Sequence, residues 1–335
     1  MTHVAHIGSG DLARLIGDRG ARMPWDGHAS HGVLVVDLDE GGRPGDLHRM
    51  AGPPAGFPAV VVGASRVTAW RPPWCDTVVD PEREDLELVA RAVGEHPLAS
   101  MALVELLRCS EGMSVDAGLL AESATYGALQ AGSEFRRWRE GRPRRPVPDT
   151  PDPVLVERCD DVLHLRLHRP ERRNALDAAM RDALAEQLDL AVLDRTIERV
   201  VIEAAGPDFC SGGDLDEFGT FEDASQAHLV RLERSLGRKL HRLADRTTVR
   251  LHGACIGSGI ELAAFAGTVD AAPDVTIGLP EVSMGLIPGA GGTVSVTRRI
   301  GRHRTCWLAL TGRRVDAMTA LEWGLVDTVG PTDAG

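Results

Sequence analysis

The chain has 335 residues, 43% of them hydrophobic and 26% charged, with a net charge of −12. This apolar content can furnish an ordinary buried core for one large or two smaller domains, and the acidic balance argues against a nucleic-acid-binding surface, the Arg136–Arg145 run RRWREGRPRR being the only clustered basic stretch. No apolar run approaches the roughly 20 residues that cross a bilayer and the polar start does not resemble a secretory signal, so a cytoplasmic protein with neither nucleic-acid nor membrane partners is expected.

The segment His6-Ile7-Gly8-Ser9-Gly10-Asp11 has glycines at the offsets of a dinucleotide-binding fingerprint, and Asp37 closes the strand-like GVLVVDLD. Only seven residues precede Gly8, too few for the full strand such a fingerprint needs. A helix N-cap at Ser9 or Asp11 feeding DLARLIGD is the simpler reading. The pairs His3/His6 and His28/His31 have no completing metal ligands nearby in sequence and read as solvated loop histidines. Two β-rich runs, Gly32–Leu38 and Phe57–Val67, flank a glycine- and proline-rich loop. Apolar spacing then predicts three successive helices between residues 82 and 140. Pro143, Pro146, Pro148, Pro151 and Pro153 mark an extended linker and the clearest domain boundary.

Beyond the linker, Val154–Val156 and Val162–Leu167 read as strands, and Asn174 or Asp177 can cap the helix ALDAAMRDALAEQLDLAV. A buried-type strand Arg199–Ala204, a helix Gln226–Ala244, a strand Thr247–Leu251, a helix GIELAAFAG and a strand Val275–Ile277 follow. This alternation argues for a layered α/β domain. The six cysteines, at 75, 109, 159, 210, 255 and 306, form no CxxC pair, so free thiols are expected rather than disulfides or a metal site.

Two small-residue turns, Phe209–Asp214 (FCSGGD) and Ala254–Gly259 (ACIGSG), follow strands. Glycine there admits close approach of backbone N–H groups to a ligand, and one N–H from each turn converging on a single oxygen would form an oxyanion hole. Tight strand-to-helix connection is the alternative reading of each turn alone. Glu261 sits in the otherwise apolar GIELAAFA, and Glu281 follows a Gly-Leu-Pro turn. A carboxylate in such surroundings needs a partner or a task, and two of them can divide acid and base work.

From about Val154 to Val329 the segments HRPERRNALD, GPDFCSGGDL, HGACIGSGIELA, LPEVSMGLIPGAGGT and LTGRRVDAMTALEWGLVD stand in order and at a spacing that resembles the crotonase, or enoyl-CoA hydratase/isomerase, superfamily. The resemblance implies an α/β fold, a crotonase-like spiral of β-β-α units, here preceded by an N-terminal α/β piece and about three helices. It implies an acyl group carried as a coenzyme A thioester, with no other cofactor and no metal. The thioester oxygen is then held by the N–H groups of Gly213 and Ser258, the latter standing where the family usually has glycine. Glu261 and Glu281 correspond to the two glutamates of the family's hydratases. Arg172, Arg173, Ala175 and Asp214 fall in the segments beside the CoA nucleotide and the first turn.

The function implied is reversible syn hydration of a 2-enoyl-CoA. The alternatives are double-bond isomerisation, a specialised acyl-CoA lyase or dehydratase reaction, or a non-catalytic acyl-CoA-binding subunit. A homo-oligomer, trimer or dimer of trimers, is also implied. The chain stops soon after Val329, before the helices with which such proteins usually end. Residues 75–143 resemble that missing tail in order and character. We therefore expect residues 1–146 to be a degenerate crotonase-like half without a second active site, 147–153 a linker, and 154–335 the catalytic core. Helices 82–140 are expected over the Glu261/Glu281 pocket. In this arrangement Arg108 is the nearest candidate for the basic residue that meets CoA phosphates.

Overall fold

The computed structural model describes residues 3–17, 32–39, 53–54, 56–66, 71–143, 145–146, 150–220 and 223–331. His28, His31, most of the loop between the first two β-rich runs, and parts of the proline-rich linker lie outside the described residues.

The N-terminal part alternates β1 (His3–His6), α1 (Ser9–Gly17), β2 (Gly32–Asp37), β3 (Ala59–Ala64) and β4 (Thr77–Val79). These strands form one parallel sheet in the order β1-β2-β3-β4. All six residues of β3 and five of β2 are buried, as the unbroken apolar runs require of a parallel sheet covered on both faces. Side chains alternate between the faces. Leu34 and Val36 join a small core with Leu12 of α1 and Trp74, whereas Val33 and Val35 join the main core. A short strand does precede Gly8, but β1 lies at the sheet edge, so among the described residues no crevice between diverging strands opens at that turn.

Four helices follow, where three are predicted: α2 (Asp85–Glu95), α3 (Pro97–Ser110), α4 (Val115–Gln130) and α5 (Ser133–Glu140). Pro97 takes the first position of α3 and ends α2. The predicted third helix is divided at Ala131-Gly132, where the Gly132 N–H turns back to Leu129 O at 2.8 Å. Glu134 of α5 is buried and accepts the N–H groups of Leu98 and Ala99, capping α3 from a neighbouring helix.

The rest of the chain comprises β5 (Val154–Cys159), β6 (Val162–Leu167), α6 (Ala178–Leu193), β7 (Arg199–Ala204), α7 (Ala224–Glu233), α8 (Leu236–Arg242), β8 (Thr247–Leu251), β9 (Ala254–Ile256), α9 (Ser258–Ala263), β10 (Thr268–Ala271), β11 (Thr276–Gly278), α10 (Gly292–Ile300), α11 (Arg302–Thr311), β12 (Val315–Asp316), α12 (Ala317–Trp323) and β13 (Thr328–Val329). The predicted helix 226–244 is interrupted because Ser235 caps a new one, accepting the Arg238 N–H. Asp177 is the cap of α6.

A six-stranded sheet, β13-β10-β8-β7-β6-β5, lies beside a three-stranded one, β12-β11-β9. Consecutive strands cross between them: β8 to β9, then β10 to β11, each pair parallel to the next. Strand, corner, strand and helix thus repeat as a spiral. One continuous hydrophobic core runs through this spiral, α2–α5 and one face of the N-terminal sheet. Among the described residues no helix is long and apolar enough to cross a membrane.

Candidate active site

The two glycine-rich turns meet because the strand ends before them are stitched together. Cys210 and Cys255 form an isolated parallel bridge, with Cys210 N–H donating to Ala254 O at 3.0 Å and Ile256 N–H to Cys210 O at 2.9 Å. Gly212 and Gly257 have φ of +102° and +51°, a region that side chains other than glycine's rarely adopt. Asp208 accepts the Ala254 N–H and further fixes the corner. Gly213 is held by a second bridge, to Leu176. The N–H groups of Gly213 and Ser258 are not taken up by any backbone carbonyl among the described residues, and both residues line a cavity of about 290 Å³.

Glu261 and Glu281 line the same cavity. Glu261, one turn into α9, is buried, and its Oε2 accepts N–H groups from Ala290 at 2.8 Å and Gly292 at 2.9 Å. Burial raises its carboxyl to about 7, against the pull of these two donors toward the charged form. Glu281 opens the short helical turn after Pro280 and is also buried. Its Oε2 has no hydrogen-bond partner. Burial, and then the charge of Glu261, push its carboxyl well above the usual carboxylate range. A Cβ on Gly257 would lie 2.4 Å from Glu281 Oε1, so that glycine is what admits the carboxyl to this place.

A third carboxyl escaped the sequence reading. Glu122 of α4 is buried and accepts Gly291 N–H at 2.7 Å, Thr293 N–H at 2.9 Å and Thr293 Oγ1–H at 2.6 Å. Burial, with the charge of Glu261 next, raises it to about 8, while its three donors act in the opposite sense. The signal was present: Glu122 stands in the small and apolar LLAESATYGAL, much as Glu261 stands in its own helix. Tyr126 and Gln130, farther along α4, line the cavity wall, so of the N-terminal helices α4 borders the Glu261/Glu281 pocket of the same chain.

The residues expected near a CoA nucleotide are gathered in one network. Asp214 accepts from Arg172 at 2.8 Å and from Arg169 at 3.3 Å, and takes the Asp216 N–H. Arg172 also reaches Asp216 at 2.7 Å, and Arg173 reaches Asp208 at 2.6 Å. Ala175 is buried, its carbonyl bound by Arg169. Arg169, which the sequence reading passed over, is fully buried and also pairs with the helix cap Asp177 at 2.9 Å. The cationic side chains of this loop are thus already met by aspartates, with Arg173 the most exposed of them at 57%. Arg108 is not available to any phosphate. It is buried in a two-pronged pair with Asp76, at 2.8 and 2.6 Å, and donates to Ala59 O. An arginine on an apolar helix reads as a surface group when its partner lies on a distant segment.

A spiral of crossed strands thus brings two glycine-rich turns and two buried carboxyls onto one cavity. Residues 157–334 match the family model described as enoyl-CoA hydratase/isomerase. The chain is 33% identical over 180 residues to 2,3-dehydroadipyl-CoA hydratase of Escherichia coli, covering 54% of this chain and 70% of that one. It is 36% identical over 179 residues to an enoyl-CoA isomerase/hydratase of Mycosarcoma maydis, covering 51% of this chain and 65% of the relative, slightly less than two thirds of its length. Among solved structures, an enoyl-CoA hydratase from Thermoplasma volcanium superposes with a TM-score of 0.50 at 33% identity, covering 54% of this chain and 73% of that one. The chain belongs to the enoyl-CoA hydratase/isomerase family of the crotonase superfamily and is an enzyme of that family.

Proposed function

We propose that the protein is an enoyl-CoA hydratase that adds water across the C2=C3 bond of a 2-enoyl-CoA thioester. One observation carries the reading: Glu261 and Glu281, both buried, line one cavity with the unengaged N–H groups of Gly213 and Ser258. The two N–H groups receive the thioester oxygen and hold the negative charge that develops on it. Glu261, whose two backbone donors favour its ionised form, takes a proton from water as the oxygen bonds to C3. Glu281, whose unpartnered buried carboxyl favours the neutral form, gives its proton to C2 of the enolate. Dehydration of a 3-hydroxyacyl-CoA is the same path reversed. Ser258 places its side chain beside Cys210, with Oγ and Sγ 3.9 Å apart, and its N–H has no backbone acceptor among the described residues.

Isomerisation needs one glutamate to carry a proton between C2 and C4, and the relatives' names include both activities. Incubating crotonyl-CoA with the protein in deuterated water separates the two. Hydration yields a 3-hydroxyacyl-CoA with one deuterium at C2, whereas an isomerase yields a shifted double bond and no hydroxyl group.

A further inference from the structure

Arg231 of α7 lines the 290 Å³ cavity that holds Glu261 and Glu281. It also lines an adjoining cavity of about 150 Å³, so the guanidinium stands between the two spaces. Its hydrogen bonds all go to neutral groups: Nε donates to Ser123 Oγ at 3.1 Å, one terminal nitrogen to Ser123 O at 3.3 Å, and the other to Gln130 Oε1 at 3.4 Å. The Tyr126 ring lies beneath it, 4.9 Å from the guanidinium carbon. It forms no ion pair among the described residues. Three of its five N–H groups are used, which leaves two. The other arginine shared by the two cavities, Arg181, is already paired with Asp182 at 2.9 Å.

The one carboxyl whose charge reaches it, Glu122, makes no ion pair with it and is already bound by Gly291 and Thr293. A partly buried guanidinium with no paired carboxylate and with spare donors is an unfilled half of an ion pair, because taking the charge out of water is repaid only by an opposite charge. Its planar fork matches the paired oxygens of a carboxylate or a phosphate. The pantetheine thioester is fixed at the Gly213/Ser258 end in the hydratase reading, so the anion that reaches Arg231 belongs to the far part of the acyl chain. We infer that Arg231 selects acyl-CoA substrates whose chain ends in a carboxylate. The inference rests on the hydratase reading for the orientation of the chain. Arg231 then acts in specificity, binding a remote group whose energy helps align C2 and C3 against the glutamates.

Comparing 2,3-dehydroadipyl-CoA, which ends in a carboxylate, with crotonyl-CoA, which does not, tests this in the wild type, Arg231→Met and Arg231→Lys. The ratio of kcat/KM, carboxylated over neutral, should exceed 10 in the wild type, by analogy with charge-paired sites, and fall on the order of 100-fold in Arg231→Met. Arg231→Lys should keep part of it, which guards against mere misfolding of the Met variant. A wild type that prefers crotonyl-CoA overturns the inference. So does an equal loss for both thioesters in Arg231→Met, since that places a CoA phosphate, common to all substrates, on Arg231. Calorimetric binding of the saturated adipyl-CoA and butyryl-CoA keeps this separate from the reaction. Preference for adipyl-CoA that Arg231→Met abolishes sustains the site even if neither enoyl-CoA is hydrated, and absence of that preference removes it.

Discussion

Glu122 and Glu261 bind alternate members of one run of four backbone N–H groups. Ala290 and Gly292 donate to Glu261, and Gly291 and Thr293 donate to Glu122. These residues form the start of α10, where N–H groups have no partner within the helix. A carboxyl from α4 therefore sets the segment that holds a carboxyl of α9, and the N-terminal helices are tied to the site through hydrogen bonds as well as packing.

Replacing Glu122 should thus be felt in two measurements. Glu122→Ala leaves buried N–H groups of Gly291 and Thr293 without acceptors and should lower stability by about 3 kcal/mol. Glu122→Gln, which keeps the shape, should cost less and still reduce kcat on the order of 10-fold, since Glu261 loses the fixed partner of its loop. Denaturant unfolding and steady-state hydration rates check both. Full stability and full kcat in Glu122→Ala would show that the α4 carboxyl is idle.

The raised carboxyls have a pH consequence whose sign is definite. Glu122 at about 8, Glu261 at about 7 and Glu281, also pushed well above its ordinary value, hold protons that the unfolded chain releases near the ordinary glutamate value of 4.5. Between those values the unfolded state binds fewer protons, so stability falls as pH rises through this window. The depressed aspartates, among them Asp208 and Asp216, act the other way and only below their ordinary value of 3.8. The ligand-free protein should melt at a lower temperature at pH 8.5 than at pH 5.5, and Glu122→Gln should flatten that slope. The proposed hydration should follow a bell, declining below about pH 7 as Glu261 takes up a proton and again as rising pH removes the proton of Glu281.

The Asp76–Arg108 pair joins the N-terminal sheet to α3, and Arg302 at the start of α11 adds a bond to Cys75 O beside it. Arg108→Met leaves Asp76 buried with only Arg302, 3.8 Å away, to oppose its charge. A loss of about 3 kcal/mol is expected in urea unfolding. A loss below ~1 kcal/mol would mean the pair is as weak as a surface one.

Thiol titration offers a simple check of packing. Cys109 and Cys159 are exposed, while Cys75, Cys210, Cys255 and Cys306 are buried and free. Burial raises all four buried thiols, which suppresses the reactive thiolate. The native protein should react with a thiol reagent at two sites and the denatured chain at six.

What could be read in the sequence was what local chemistry forces. Gly212 and Gly257 adopt φ that marks a glycine turn, and Glu261 and Glu281 are charges in apolar text, so both turns and both glutamates were visible before any packing was known. Helix interruptions at Gly132 and Ser235 were not, because apolar periodicity continues across them while capping interrupts the backbone. Glu122 and Arg231 gain their meaning from contacts across the fold: Glu122 meets Gly291 from 169 residues away and Arg231 meets Ser123 from 108. Arg108 was misread for the same reason, its partner Asp76 being 32 residues distant and on another element.

In the proposed hydration Glu261 and Glu281 divide the base and acid work between them. Hydration of the preferred 2-enoyl-CoA by the wild type, Glu261→Gln and Glu281→Gln measures this division most directly. Each variant should lose on the order of 1,000-fold in kcat while still binding the thioester, because the proposed oxyanion donors of Gly213 and Ser258 are untouched. A variant that retains kcat within a few-fold of an active wild type would contradict the paired acid–base reading of this site.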